Sequence, residues 1–512
     1  MKADARLVFA LGVVLLLAGG ALAQTNVGRI SGAVTDASGA TVPGATVTAT
    51  DTRTSLQQTA VTDERGLYVF ASLPAGTYDL RAEAVGFRTS ERLGVVLDAA
   101  SRRAIDFGLE LGARADTISV SAAVEQVQSN SGNVGRVITE QQLSQIALNG
   151  REYIQLLRLV PGVVATSLNV FNPRLDLTQQ RVNGIRTNSV YFTIDGAENH
   201  DNGANSNAIV DPNMDALAEI KIETSSYSAE FGGRAGAMVN LVTKSGGRDF
   251  HGSLFEFVRN DVFDARSFFA PSVEPLRFNN FGWTIGGPVF IPGKFNTQRD
   301  KLFFFYSEEW KFVRQGQANV NVVPTAEERS GDFVNSTLPA PVDPLTGQPF
   351  ANRVVPQSRW SKNGPLLLQP YPLPNFAGPG GNFVASGMNI TDYRQELARI
   401  DYRLTPSTQL SYRIINDKWD IVFPFRTTNL GIIPNARPRP GYVTSFDIQH
   451  SFSPRTLNFF TVNLSKNSIR GRPDNSVMSR PTLGLTYPEI FPANRSNVGP
   501  EVRIAGFTAY NS

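Results

Sequence analysis

The chain contains no cysteine and only three histidines, His200, His251 and His450. Without thiols there is no cysteine nucleophile, no thiolate-bound zinc and no disulfide framework. The histidines stand far apart and no pair has metal-ligand spacing, so neither a metal centre nor another cofactor is expected. Charge of one sign is also lacking. The 48 Lys plus Arg and 45 Asp plus Glu leave a net +3 over 512 residues. So even a balance gives no electrostatic footprint for nucleic acid. Long apolar runs are scarce. Leu7 to Ala18 would reach about 18 Å as a helix, whereas a bilayer core is roughly 30 Å thick. Nothing later in the chain is apolar for about 18 consecutive residues, so any further membrane crossing must use strands.

The opening segment, residues 1–23, is organised as an export signal. Lys2 and Arg6 form a positive start, partly offset by Asp4, and the apolar run follows. Ala21-Leu22-Ala23 is a small-residue cleavage pattern that places the cut between Ala23 and Gln24.

What is abundant points to strands. Phe (33), Gly (44) and Pro (31) together suggest short strands joined by turns. Residues 24–111 alternate apolar and polar side chains between turn clusters, which predicts an antiparallel β-sandwich. Gly32-Ala33-Val34-Thr35-Asp36, Pro43-Gly44-Ala45, Asp63-Glu64-Arg65-Gly66-Leu67-Tyr68 and Leu73-Pro74-Ala75-Gly76 occur in that order. They resemble the carboxypeptidase regulatory-like domain, whose fold is related to carbohydrate-binding sandwiches. The resemblance implies a fold and supplies no peptidase chemistry.

Residues 112–125 read as a linker containing one short strand, Asp116, Thr117, Ile118, Ser119 and Val120. It is β-branched, alternating and free of proline, as a strand that adds to another sheet edge must be. An acidic residue, Thr, two residues and Val resemble the TonB box, which implies TonB, the inner-membrane energy transducer, as partner.

Residues 126–248 carry helix signals first. Thr139 and Gln142 form a capping box, and Tyr153, Leu156, Leu157 and Val160 follow at helical spacing until Pro161-Gly162. Leu148-Asn149-Gly150-Arg151-Glu152-Tyr153, Val182-Asn183-Gly184, Thr193-Ile194-Asp195-Gly196 and Val242-Thr243-Lys244-Ser245-Gly246-Gly247 resemble the plug domain of TonB-dependent receptors. With the sandwich in front, the pattern resembles the Oar-like branch. The polar loop from Asp195 to Asp211 offers Asp195, Asn199 and Asp201 as candidates for substrate or calcium contact. It lacks the spacing and closing Glu of an EF-hand, and a plain turn-rich loop is the competing reading.

From residue 249 to 512 the alternation extends over membrane-crossing lengths. Phe281, Trp283 and Ile285 oppose Gly282, Thr284 and Gly286. Ala398, Ile400, Tyr402 and Leu404 oppose Leu397, Arg399, Asp401 and Arg403. Charge at every second position suits a polar lumen behind an apolar outer wall. Phe303, Phe304, Phe305, Tyr306 and Trp310 are expected in aromatic girdles. Residues 323–389 read as one long loop. Seven or eight strands are expected, fewer than the roughly 22 of plugged transporters, so the barrel is expected to be incomplete and the chain truncated.

Gly287 to Lys294 has the wrong spacing for a Walker loop, and Phe295 stands where Ser or Thr is required. With no nucleophile elbow and no carboxylate pair, no enzyme is expected. The fold class expected is mainly β: a sandwich, an α+β plug and part of a transmembrane antiparallel barrel. The function implied is TonB-dependent import of an unidentified glycan, peptide or metal chelate. The location implied is the outer membrane of a Gram-negative-type bacterium, in contact with its lipid, with a periplasmic N-terminal domain. The alternative is a binding or adhesion receptor that does not transport and holds carbohydrate through the sandwich.

Overall fold

The computed structural model describes residues 27–99, 101–112, 117–121, 134–165, 180–187, 189–201, 203, 207–227, 234–266, 272–425, 430–432, 435–453, 456–473, 478–488 and 500–510. Ala23, Gln24 and Asp116 lie outside them.

Turn-punctuated alternation produces two facing sheets at the N-terminal end. One contains Gly28–Asp36, Leu67–Leu73, Arg102–Ala104 and Phe107–Leu109. The other runs in the order Gln57–Val61, Thr46–Asp51, Gly76–Glu83, Thr89–Leu97, Thr117–Ser121. Every second residue points inward, so Ile30, Val34, Val47, Tyr68, Phe70, Leu80 and Phe107 form the core. A Cβ on Gly32 would lie 1.8 Å from the Ile105 carbonyl oxygen, so no side chain fits there. The Tyr68 hydroxyl donates to the same carbonyl at 2.6 Å.

The plug sheet runs in the order Val134–Thr139, Leu217–Ser225, Ala237–Thr243, Val190–Ile194, Ala197–Glu198. The α-helix Glu140–Gln145 starts at Thr139, and both halves of its capping box are formed. The second expected helix is instead a 3₁₀ helix, Tyr153–Leu159. Gly150 and Arg151 take positive φ just before it and Gly162 just after it, leaving too few residues for a stable α-helix. Three residues per turn still bury Tyr153 with Leu156 and Ile154 with Leu157.

The rest is one antiparallel wall. Its long strands are His251–Asn260, Leu276–Pro288, Leu302–Asn321, Phe383–Thr405, Thr408–Phe423, Arg439–Ser453 and Thr456–Asn467, with two-residue pieces Asn435–Ala436 and Arg472–Pro473. Among the described residues the wall does not close on itself. Its phase corrects one expectation. Phe303 and Phe305 are 3% and 1% exposed and point to the inner face, leaving Phe304, Tyr306 and Trp310 outside. Adjacent residues of a strand cannot share a face. The outside pairs Trp310 with Phe281 and Tyr306 with Trp283, at 5.5 and 5.1 Å between ring centres. The long loop ends earlier than expected, because a strand begins at Phe383. It packs with residues 430–432, 478–488 and 500–510 into a cap over Val323, Tyr371, Met478, Leu483 and Tyr510.

Candidate functional site

The plug sits on the inner face of the wall, and strand register sorts the contact into rows. In the first, Phe305, Arg399, Arg413 and Ser445 are cross-strand neighbours. In the second, Ser307, Leu397, Ile415 and Val443 are aligned. The third holds Glu309, Gln395, Asp417 and Gly441, and the fourth Lys311, Tyr393, Trp419 and Arg439. An apolar row therefore lies between charged ones. Leu397, Ile415 and Val443, with Phe305, belong to the same hydrophobic cluster as the plug's own core.

Below that row, Asp195 is a hub. It occupies a left-handed turn position (φ 44°) before Gly196, which frees its carboxylate to face the wall. Thr243 donates to it through its amide at 2.9 Å and its hydroxyl at 2.6 Å. Arg413 pairs with it directly, and Arg399 lies at 3.9 Å while donating to the Thr243 carbonyl at 3.0 Å. Burial opposes the Asp195 charge, but Arg413 and Arg399 outweigh burial and hold the carboxyl below its ordinary range.

Above the row, Lys311 faces two plug carboxylates, Glu152 at 3.4 Å and Asp211 at 3.9 Å. Its ammonium lies 5.5 Å from the Tyr393 ring centre and 6.0 Å from that of Trp419. The Asp211 amide donates to Asp417, and the Tyr393 hydroxyl donates to the Asp211 carbonyl. Burial pushes the Glu152 and Asp211 carboxyls upward, and the Lys311 charge opposes the shift in both. Asn-Gly-Arg-Glu-Tyr thus works as a docking element. The Asn149 side chain accepts from Arg259 at 2.7 Å, and Arg151 lies over Phe257 at 3.9 Å while pairing with Asp215. A close approach completes the seat, because a Cβ on Gly441 would meet the Ile209 carbonyl oxygen at 2.4 Å.

This contact is not fully satisfied. Both polar atoms of Gln395, Asp417 Oδ1, Glu152 Oε2 and the Tyr153 hydroxyl are buried with no hydrogen-bond partner among the described residues. These polar groups lie beside the ion pairs that join plug and wall.

Of the loop candidates, Asn199 is committed internally. It accepts from the Ile209 and Val210 amides and donates to the Val210 carbonyl, which fixes the backbone that meets Gly441. Asp201 is buried and accepts from the Gly203 amide at 2.9 Å. The structure joins neither to Asp195 by a hydrogen bond. His200 is buried, and burial drives its imidazole down to about 4. Thr117, Ile118, Ser119 and Val120 fall in Thr117–Ser121, the edge strand of the sandwich. Sequence reasoning missed Lys311, Gln395, Asp417 and Arg439. Their signal was polarity at every second position of strands that also carry aromatics.

Among the described residues the sandwich is bonded to this assembly at three places, the loop at Arg53 and Ser55, where Arg248 also bonds the Ser55 hydroxyl at 3.0 Å, the strand end at Gln57, and Ala99. Arg53 donates to the Ser245 and Gly246 carbonyls. Arg403, at the end of a wall strand, donates to the Gln57 carbonyl at 3.1 Å. The Ala99 amide donates to Glu219 of the plug at 2.7 Å, and burial pushes that carboxyl up to about 7.

A plug seated by ion pairs against the inner face of a strand wall, with aromatics outside, defines the class of plugged outer-membrane barrel receptors. Residues 242–512, more than half of the chain, match the outer membrane beta barrel domain. Residues 127–239 match the TonB-dependent receptor plug domain, and residues 29–110 the carboxypeptidase regulatory-like domain. The chain belongs to the outer-membrane β-barrel family of TonB-dependent receptors and is a protein of the Gram-negative outer membrane. It is similar to the TonB-dependent transporter Oar of Myxococcus xanthus, 28% identical over 322 residues, a match covering 59% of this chain and 28% of that protein. Among solved structures it is similar to the outer membrane transporter YddB from Escherichia coli (10% identity, TM-score 0.39, 66% of this chain and 39% of that one). Another is the ferric enterobactin receptor PfeA from Pseudomonas aeruginosa (13% identity, TM-score 0.34, 66% and 46%). The chain spans less than half the length of each.

Proposed function

We propose that this chain is the plug-bearing part of an importer driven by TonB, with its segments 24–111, 112–125, 126–248 and 249–512 acting as sandwich, coupling strand, plug and wall. The observation that carries the reading is the chemistry of the plug seat. A dry apolar seat would be a permanent core. Ion pairs flanked by orphaned polar groups can exchange partners with water, so the plug can be moved and can return. The outer aromatics face lipid. Cargo is captured first on the cap, where an open apolar cleft of about 580 Å³ is lined by Leu367, Leu368, Tyr487, Val502 and Ile504. A glycan, a peptide or a metal chelate are the cargo classes in view. Asp195, Asn199 and Asp201 act beneath them as plug residues, and the reading contains no catalytic step.

The coupling strand supplies the test. Replacing Ile118 and Val120 together with proline removes two backbone donors from it. Uptake of labelled cargo is expected to fall to background while binding of that cargo to whole cells is retained. Uptake at the wild-type rate by the double variant would overturn the reading.

A further inference from the structure

The strand Thr117–Ser121 is not a free tail. It pairs in parallel with Thr89–Leu97, in the register Thr89 with Thr117 through Leu93 with Ser121. It is the last strand of the five-stranded sheet. A strand has two hydrogen-bonding edges, and alternate residues serve each. Pairing with Thr89–Leu97 uses one edge, and the other has no ladder partner among the described residues. At the opposite end of the same sheet, Gln57 is bonded to Arg403 of the wall. The loop between Thr46–Asp51 and Gln57–Val61 inserts Arg53 at the plug–wall junction, and the loop after Thr89–Leu97 bonds the plug through Ala99. The sheet is therefore bonded to the wall at its Gln57–Val61 end and to the plug through the loop after Thr89–Leu97, the strand beside its open edge.

Resting on the import reading above, we infer that the sandwich is the handle of the transporter. The transducer's extended strand adds to the outer edge of Thr117–Ser121 as a sixth strand, and Thr117–Ser121 stays on the sandwich while engaged. An edge strand of β-branched and small residues without proline is a template for such addition. Load then passes through the sheet to Arg53 and Ala99 before it reaches the plug. The sandwich must leave its three docking points together with, or ahead of, any plug movement. Were the transducer to take the strand away instead, the edge of Thr89–Leu97 would be stripped and the sandwich would carry no load.

None of these 512 residues is cysteine, so introduced pairs can be read directly in this chain. Ser90→Cys with Ile118→Cys, and separately Arg92→Cys with Val120→Cys, link register partners across the ladder, where neighbouring strands lie about 4.8 Å apart, within disulfide reach. Full-length receptor carrying either pair is titrated with the periplasmic domain of TonB, oxidised and then reduced. The expected result is disulfide formation with affinities agreeing within about twofold between the two states. Loss of binding by about tenfold or more on oxidation, restored by reductant, shows that the strand must leave the sandwich and overturns the proposal. Failure of both pairs to cross-link overturns it as well. Absence of binding by wild-type and reduced receptor alike would sink the import reading itself, and the handle with it.

Discussion

The sandwich and the wall are both built from alternating strands, yet they bury opposite things. In the sandwich the inward residues are Ile30, Tyr68, Phe70 and Leu80, and the hydrophobic effect holds them. In the wall the buried inner face carries Glu309, Lys311, Gln395, Arg413 and Asp417, while Ile400, Leu404, Tyr412 and Leu464 are exposed outside. The same period of two serves both because period says only that the faces differ. What each face meets decides which chemistry it needs. The sandwich meets itself and needs no partner. The wall meets the plug with its polar inner face and presents exposed apolar side chains on its outer face.

The contrast can be broken most forcefully at its two centres. Tyr68 is 1% exposed and bonded through its hydroxyl, so Tyr68→Ala should cost the sandwich about 3–5 kcal/mol. Limited proteolysis is expected to release residues 27–112 rapidly while the wall keeps its resistance. Equal sensitivity of both regions would mean that they fold as one unit. Lys311→Met acts on the other chemistry. It leaves Glu152 and Asp211 buried without their cation, and plug seating should weaken by about 3 kcal/mol. Faster hydrogen exchange at residues 149–160 is the readout. Adding Glu152→Gln should recover most of the loss, since one uncompensated charge is removed with its partner. No recovery would assign the effect to packing rather than charge.

The seam between the two regions gives the smallest effect and a pH dependence. Glu219 has a docked pKa of about 7, above its ordinary value. The docked state therefore binds the proton more tightly than the undocked state. Docking of the sandwich on the plug is strongest below the ordinary carboxyl range and weakens as pH rises toward 7. Allowing for partial exposure, the change is on the order of 1–2 kcal/mol. Protease cleavage of the intact receptor near residue 100 should accelerate between pH 5 and pH 7, roughly the window that linkage assigns. Glu219→Gln should flatten that profile, and a variant with the profile unchanged would place the titrating group elsewhere.

Much of the architecture was legible in local pattern. The capping box at Thr139, the opposition of Phe281, Trp283 and Ile285 to Gly282, Thr284 and Gly286, and the loop before Phe383 follow from turn chemistry and side-chain alternation, which act over a few residues. The four consecutive aromatic positions Phe303 to Tyr306 were harder. Alternation fixes that neighbours diverge but not which of them turns inward, and it is Phe303 and Phe305 that do.

The docking element at Asn149 to Tyr153 could be recognised as a motif, but its task could not. Glu152 meets Lys311 at a separation of 159 residues, and Asp195 meets Arg413 at 218. Nothing local encodes such pairs, because a single charge carries no address. It acquires a partner only when a strand register, set by many backbone hydrogen bonds at once, brings that partner to the same row.

The sequence by itself determined where strands form, which residues share a face, and that one long region sets an apolar face against a polar one. Those properties depend on neighbours within a turn or two of the chain. Only the tertiary structure decided which charges close the seat between plug and wall, and that the strand at Thr117 lies on the edge of the sandwich. Both depend on distances between segments far apart in the chain, which packing sets and local pattern does not.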